Sequence, residues 1–249
     1  MSSLLKNYLA QIQKHLGYRA TWEPNRPIRL GTFGKIHRGI FSEYGHLDEL
    51  GLTIAADESA TTNQLVFISE DKSRLTFKAK GEKSSLFKVI GLDEAGLHIQ
   101  FDKENGIVCK LDGITYCTLR ERNRLAEQLN NLSLDGKWDA SFLVITEIMR
   151  VEKASVLLSR KKKGELELTW KTEPQSKKLK AADLGLLGEV VHSKGMSLQF
   201  TSKTDSTPLY RLSRVTKTNM QPLGERNLAN AEEVNWEEVG FDEREMKQN

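Results

Sequence analysis

The sequence predicts an α+β protein: a twisted, largely antiparallel sheet with an amphipathic helix at the start of the chain and flanking helices beside it. Three observations carry this. Five stretches alternate apolar and polar residues with period two, two stretches place apolar residues at helical spacing, and the composition is that of a globular chain. The 249 residues are 38% hydrophobic and 29% charged, with only five prolines. That is enough to bury a core and too apolar for a disordered chain.

Taken in order, Leu4, Leu5, Tyr8, Leu9, Ile12 and Leu16 form the apolar stripe of a first helix. Ser2 or Ser3 can cap it and Gly17 can end it. Lys6 and Lys14 lie off the stripe. Residues 22–39, with Trp22, Pro24 and Pro27, read as a loop with short strands. Within it, Gly31–Lys35 spells part of a phosphate loop but lacks the first glycine and the Ser/Thr after the lysine. Strands follow where Leu75, Phe77 and Ala79 alternate with polar neighbours, and again at Leu97, Ile99 and Phe101. The same pattern recurs at Ile107, Cys109 and Leu111, at Leu166, Leu168 and Trp170, and at Met196, Leu198 and Phe200. A second helix is predicted over about Leu119–Leu132, with Leu125, Leu129 and Leu132 inward. Residues 69–96 and 159–188 are rich in Lys, Ser and Gly and read as hairpin ends or mobile insertions.

Several classes are excluded. No apolar run approaches the roughly 20 residues of a membrane helix. The spaced apolar residues near the start, interrupted by Lys6 and Lys14, do not read as a signal peptide. Cys109 and Cys117 are too few for a disulfide scaffold, which points to a cytosolic chain with reduced thiols. They straddle Gly113 in what reads as a hairpin. They are therefore either a redox pair or, more plainly, two small core residues. The five histidines have no metal-binding spacing, and no nucleophile has a base beside it. The reading is no enzyme, no catalytic residue, no cofactor and no metal.

Charge is uneven. Residues 229–249 hold seven acids and two bases, so the tail carries −5 and the rest +8 of a net +3. A basic body implies an anionic partner, lipid or nucleic acid, that the tail can screen.

The segment Ser141–Met149, with the run Leu143-Val144-Ile145-Thr146-Glu147, is followed by Val156, the basic run Arg160–Lys163 and Glu165–Trp170. This succession resembles the pore-forming domain of the gasdermin family over about residues 1–225. The order of elements agrees: an opening helix, a Pro/Gly/Arg loop, strands, a central helix and further strands. The acidic tail in place of a large repressor domain resembles the short microbial members. Bacterial members commonly carry an acylated cysteine near the N-terminus, whereas this chain has Ser2 and Ser3 there and its first cysteine at Cys109. The resemblance therefore leans to the fungal cell-death type.

The resemblance implies a gasdermin-like pore-forming domain over 1–228 and an acidic tail over 229–249, either a lock or disordered. It implies a membrane-permeabilising effector of lytic, pyroptosis-like cell death, of the kind used in innate immunity or allorecognition. The protein would be cytoplasmic when inactive and at the plasma membrane when active. Each subunit of a homo-oligomer would insert two β-hairpins, drawn from about 62–111 and 153–202, into a large β-barrel. Lys80 and Lys83 would mark the first tip, and Arg160, Lys161, Lys162 and Lys163 the second. Anionic phospholipid would be captured by Lys6, Lys14, Arg19, Arg26, Arg29, Lys35 and Arg38, with Phe33 or Ile36 as a wedge. A second gasdermin-like protein, a protease or a thiol change would be the trigger, with no nucleic acid involved. The alternative is a soluble α+β module that binds lipid or nucleic acid without inserting.

Overall fold

Helix α1 (Ser3–Leu16) forms on the stripe that predicts it. Leu4, Leu5, Tyr8, Leu9 and Ile12 are all buried and Lys14 is exposed. Burying one such side chain contributes about 1.5–3 kcal/mol, so packing fixes this helix more than propensity does. The computed structural model describes residues 3–22, 27–69, 73–78, 96–101, 104–159, 164–169, 189–194, 196–202, 206–219 and 232–239.

The strands are β1 (Arg19–Ala20), β2 (Thr32–His37), β3 (Ile40–His46), β4 (Ala56–Glu58), β5 (Thr62–Ile68), β6 (Ser73–Lys78) and β7 (Gly96–Phe101). They continue with β8 (Ile107–Leu119), β9 (Leu143–Ser159), β10 (Gly164–Thr169), β11 (Glu189–Lys194), β12 (Met196–Ser202), β13 (Ser206–Asn219) and β14 (Glu232–Val239). The described pairings are antiparallel throughout, which gives the expected α+β class. Helix α2 spans Arg122–Leu134, not Leu119–Leu132. Leu119 still pairs with Ala56 as the end of β8, and Glu121, at φ 52, turns the chain into the helix. Leu125 and Leu129 are buried as predicted, and Leu132 is partly buried.

The core lies chiefly between α1 and the sheet. The α1 stripe packs on Phe67 of β5, Ile107, Cys109, Leu111 and Ile114 of β8, and Met149, Val151, Ala154, Val156 and Leu158 of β9. A second cluster, under α2, gathers Leu47, Leu52, Leu125, Leu129 and Trp138.

Two sheets result: one of ten strands and one of four, ordered β11-β10-β7-β6. The four are continuations of strands in the first sheet. There β12 pairs with β9, β9 with β8 and β8 with β5, the same lateral order as β11, β10, β7 and β6. Four chain segments therefore run through both sheets as two hairpins side by side. Between the two hairpins the register is unbroken. From Gly96↔Thr169 to Thr118↔Glu147, every partner pair has residue numbers totalling 265.

The hairpin turns differ from expectation at one place. Lys80 and Lys83 fall outside the described residues, between β6 and β7. Arg160–Lys163, also outside them, join β9 to β10, which do not pair with each other, whereas β10 pairs with β11. The basic run therefore does not join two paired strands, and residues 170–188, between β10 and β11, lie outside the described residues. The tail also differs from a separate unit: its residues 232–239, as β14, pair with β13 from Leu212↔Val239 to Asn219↔Glu232.

Candidate functional site

Strands β2 and β3 form a hairpin whose ladder closes at His37↔Ile40. A two-residue loop of this kind needs two left-handed residues to match the strand twist. Arg38 and Gly39 supply them, at φ 52 and 75. The turn therefore presents Arg38 to solvent beside exposed His37. Tyr44, 56% exposed, stacks near the His37 ring and lies 5.4 Å from the Phe142 ring. Sequence reasoning missed His37 and Tyr44. The available signal was a tyrosine beside basic residues, an amphipathic side chain suited to an interface.

Lys35 sits on the same hairpin. Its Nζ lies 2.6 Å from Asp139 Oδ2 and 5.1 Å above the Phe142 ring. The Lys35 ammonium and the Ser141 hydroxyl and N–H hold the Asp139 carboxyl well below the usual range.

The structure divides the predicted basic set. Lys14, Arg29 and Arg38 are exposed, and Lys6 is half-buried. Arg29 reaches Asp48 at 3.7 Å. Arg19 is buried and donates from Nε to the Val239 carbonyl, so it offers nothing to lipid in this fold. Phe33 is not a wedge. It is buried 5.0 Å from the Trp138 ring and 5.2 Å from Phe142, because β2 turns it into the core under α2. Ile36 is partly buried against Ile145 and its neighbours. Arg26 lies outside the described residues.

A polar cavity of about 250 Å³ opens by α2, lined among others by Thr53, Arg120, Arg124 and Gln128. Its arginines are engaged, Arg120 by Asp57 and Arg124 by Glu121.

Besides the Arg19 hydrogen bond to Val239, the tail strand is held by three further contacts. Trp236 Nε1 donates to the Arg122 carbonyl at 2.6 Å. Val239 packs beside Tyr210 and Leu212. Arg211 reaches Glu238 at 3.4 Å and Glu147 at 3.9 Å, and stacks 4.5 Å over the Tyr18 ring. Tyr18 in turn donates to Glu147. Its phenol is pushed far up, first by burial and then by that carboxylate. Thr146 and Ser213 hydroxyls share a buried hydrogen bond of 2.8 Å. The Thr146-Glu147 pair of the motif therefore stitches β9 to β13.

The two cysteines are not neighbours. Both lie on the single strand β8, because no turn occurs at Gly113. Eight steps at about 3.3 Å separate them by roughly 26 Å, far beyond disulfide reach. Cys109 is buried under α1, which pushes its thiol up to about 12. Cys117 lies near Glu58, and burial raises its thiol as well.

Among the described residues, no three His, Cys, Asp or Glu side chains gather as a metal site, and no helix is long and apolar enough to cross a membrane. No protein-family model matches this chain, and no curated protein matches it.

Proposed function

We propose that this chain is a gasdermin-type pore-forming protein that binds anionic phospholipid, assembles with copies of itself and inserts two β-hairpins per subunit. One observation carries the reading. Across the break between sheets, the two middle segments keep the same register. Leu97, Ile99, Phe101, Ile107, Cys109 and Leu111 occupy one face, and Ala154, Val156, Leu158, Leu166 and Leu168 face them in the same register. The opposite face carries Gln100, Lys110, Asp112, Lys153 and Ser155, together with the buried pair Val108↔Leu157. A barrel strand needs about 9–11 residues with lipid-facing apolar positions and polar positions inward. Strands β7 and β8 supply six and 13 residues to the first of these segments.

The part of this face in the ten-stranded sheet is now covered by α1, so insertion requires α1 to leave it. Asn7 of α1 donates to the Asn105 carbonyl at 3.0 Å, at the junction between β7 and β8. The exposed cations of α1 and the β2–β3 turn supply the first contact with lipid, each about 1 kcal/mol near an anionic surface. The tail strand acts as a lock on β13, released by a protease or displaced by a second protein of the same type. The protein then moves from the cytoplasm to the plasma membrane and lyses the cell.

The test is dye release from anionic liposomes, with electron microscopy for rings or arcs. Truncation after Leu228 is expected to release dye without any activator. Charge reversal at Lys6, Lys14 and Arg29 together is expected to abolish that release. A truncated protein that sediments with vesicles and leaves them sealed would replace this reading by a lipid-binding module.

A further inference from the structure

We propose that the buried ion pair of Lys110 and Asp112 is a release element, which keeps the middle strands only marginally stable in the sheet. The claim about stability stands by itself; the release it serves is the insertion proposed above, and that half rests on the pore-forming reading. On β8, Cys109 and Leu111 face α1, so Lys110 and Asp112, at the alternate positions, share the face turned away from it. The Lys110 side chain is 1% exposed and the Asp112 side chain 16%. The ammonium lies 2.8 Å from Asp112 Oδ2 yet makes no hydrogen bond among the described residues. Its directly opposed neighbours are Val66 of β5 and Ser155 of β9. Val108, two residues away on the same face, and Leu157 opposite Val108 are buried.

A lysine is almost never buried this fully, because its ion must shed its water. Attraction to one carboxylate offsets that loss poorly when the ammonium's N–H donors go unpaired, and an apolar side chain of similar length fills the same space without it. The pair is also lopsided. Asp112 keeps partial access to water, and Lys153 of β9 lies directly opposite it in the ladder. Lys110 pairs with Asp112 alone among the described residues. Removing the ammonium therefore leaves a carboxylate that water and Lys153 can serve, whereas removing the carboxylate leaves a charge buried by itself. In a barrel this face, with Lys153 and Ser155 beside the pair, turns to the lumen, where polar side chains meet water. Lys110 regains its hydration there, so the pair weakens the strands' hold in the sheet and costs nothing in the wall of the pore.

The test compares full-length Lys110→Met, Asp112→Asn and double-variant proteins with the wild type, by urea unfolding and amide exchange. Lys110→Met should raise the urea midpoint and slow exchange in β8 and β9 by roughly tenfold. Asp112→Asn should lower the midpoint, and adding Lys110→Met should restore it at least to the wild-type value. That rescue separates a buried charge from packing, and it decides the matter even where Asp112→Asn alone does not fold. The release half is read on phosphatidylcholine–phosphatidylserine liposomes that the wild-type chain permeabilises: Lys110→Met should slow dye release several-fold while sedimenting with them equally. A Lys110→Met protein of lower stability, or a double variant no better than Asp112→Asn, would show that the ammonium holds the sheet together and overturn the proposal. Unchanged dye release from a stabilised Lys110→Met protein would overturn the release half. A wild-type chain that never opens such liposomes removes the pore-forming reading and the release half with it, and the urea and exchange results then decide the claim about stability.

Discussion

The middle and the flanks of the two-hairpin ribbon are built differently. Between β7–β8 and β9–β10 the register carries straight across the break between sheets. On the outer sides it does not. The β6–β7 ladder is displaced by two residues from β5–β8, since Ser73↔Phe101 totals 174 and Ile68↔Val108 totals 176. The β10–β11 ladder is displaced by four from β9–β12 at the break, with Glu165↔Lys194 at 359 and Met196↔Ser159 at 355, and by three beyond the shift that follows Met196. A slip by an even number keeps each side chain on its face, and a slip by an odd number reverses it. The seam between hairpins therefore keeps one register across the break, whereas both outer ladders change theirs. In the ten-stranded sheet this seam is clamped beneath α1; beyond the break it enters the four-stranded sheet, where the α1 cluster no longer reaches it.

The largest expected effect contrasts the two sheets directly. Leu111 is fully buried under α1, so Leu111→Ala should cost about 2–5 kcal/mol in urea unfolding. Ile99, as completely buried but in the four-stranded sheet, should behave otherwise. Ile99→Ala should move the urea midpoint little and instead speed amide exchange in β6, β7 and β10, as a separately opening unit does. Equal losses of global stability from the two substitutions would show that the sheets unfold together.

What the sequence disclosed follows the range of the interactions involved. Helix α1 was legible because its stripe is local, and the period-two strands were legible for the same reason. Gly113 misled, since Asp112-Gly113 is a strong turn signal. The chain passes straight through because residues on both sides of it pair with β5 and β9 at once. Phe33 looked like a wedge between Gly31 and Lys35, but its fate is set by Trp138 and Phe142, more than a hundred residues away. The seam depends on which strand lies next to which, and alternation carries no such information.

Gly113 marks where both middle strands change the face they turn to α1, and substitution there sharpens the comparison at an intermediate cost. On β8 the residues facing α1 are Cys109 and Leu111 before it and Ile114 after it. On β9 they are Met149 and Val151, then Ala154 and Val156. Both strands thus change parity at one level, where Gly113 adopts φ 61 and a Cβ would meet the Glu152 carboxyl carbon at 2.5 Å. Gly113→Val should cost about 1–3 kcal/mol, the usual penalty of a strained backbone position. If Glu152→Ala in the same chain restores most of that loss, the clash is responsible; if not, the backbone angle is.

The smallest effect appears only in alkali and reports on the clamped part of the seam. Cys109 and Tyr8 are fully buried under α1, and burial raises both groups, Cys109 from 9.0 to about 12. A folded-state value above the unfolded one means that folding favours the protonated form. That contribution is complete below about pH 9 and is lost as pH climbs towards 12. Stability should therefore be flat in these groups from pH 7 to 8 and decline above 9, with a shallower decline in Cys109→Ala and Tyr8→Phe proteins. The Tyr8 hydroxyl has no hydrogen-bond partner among the described residues, so Tyr8→Phe should also gain about 1 kcal/mol at neutral pH by removing a buried, unpaired hydroxyl. An alkaline slope unchanged by both substitutions would place the titrating groups elsewhere in the fold and leave α1 free to lift from the seam before either group is exposed.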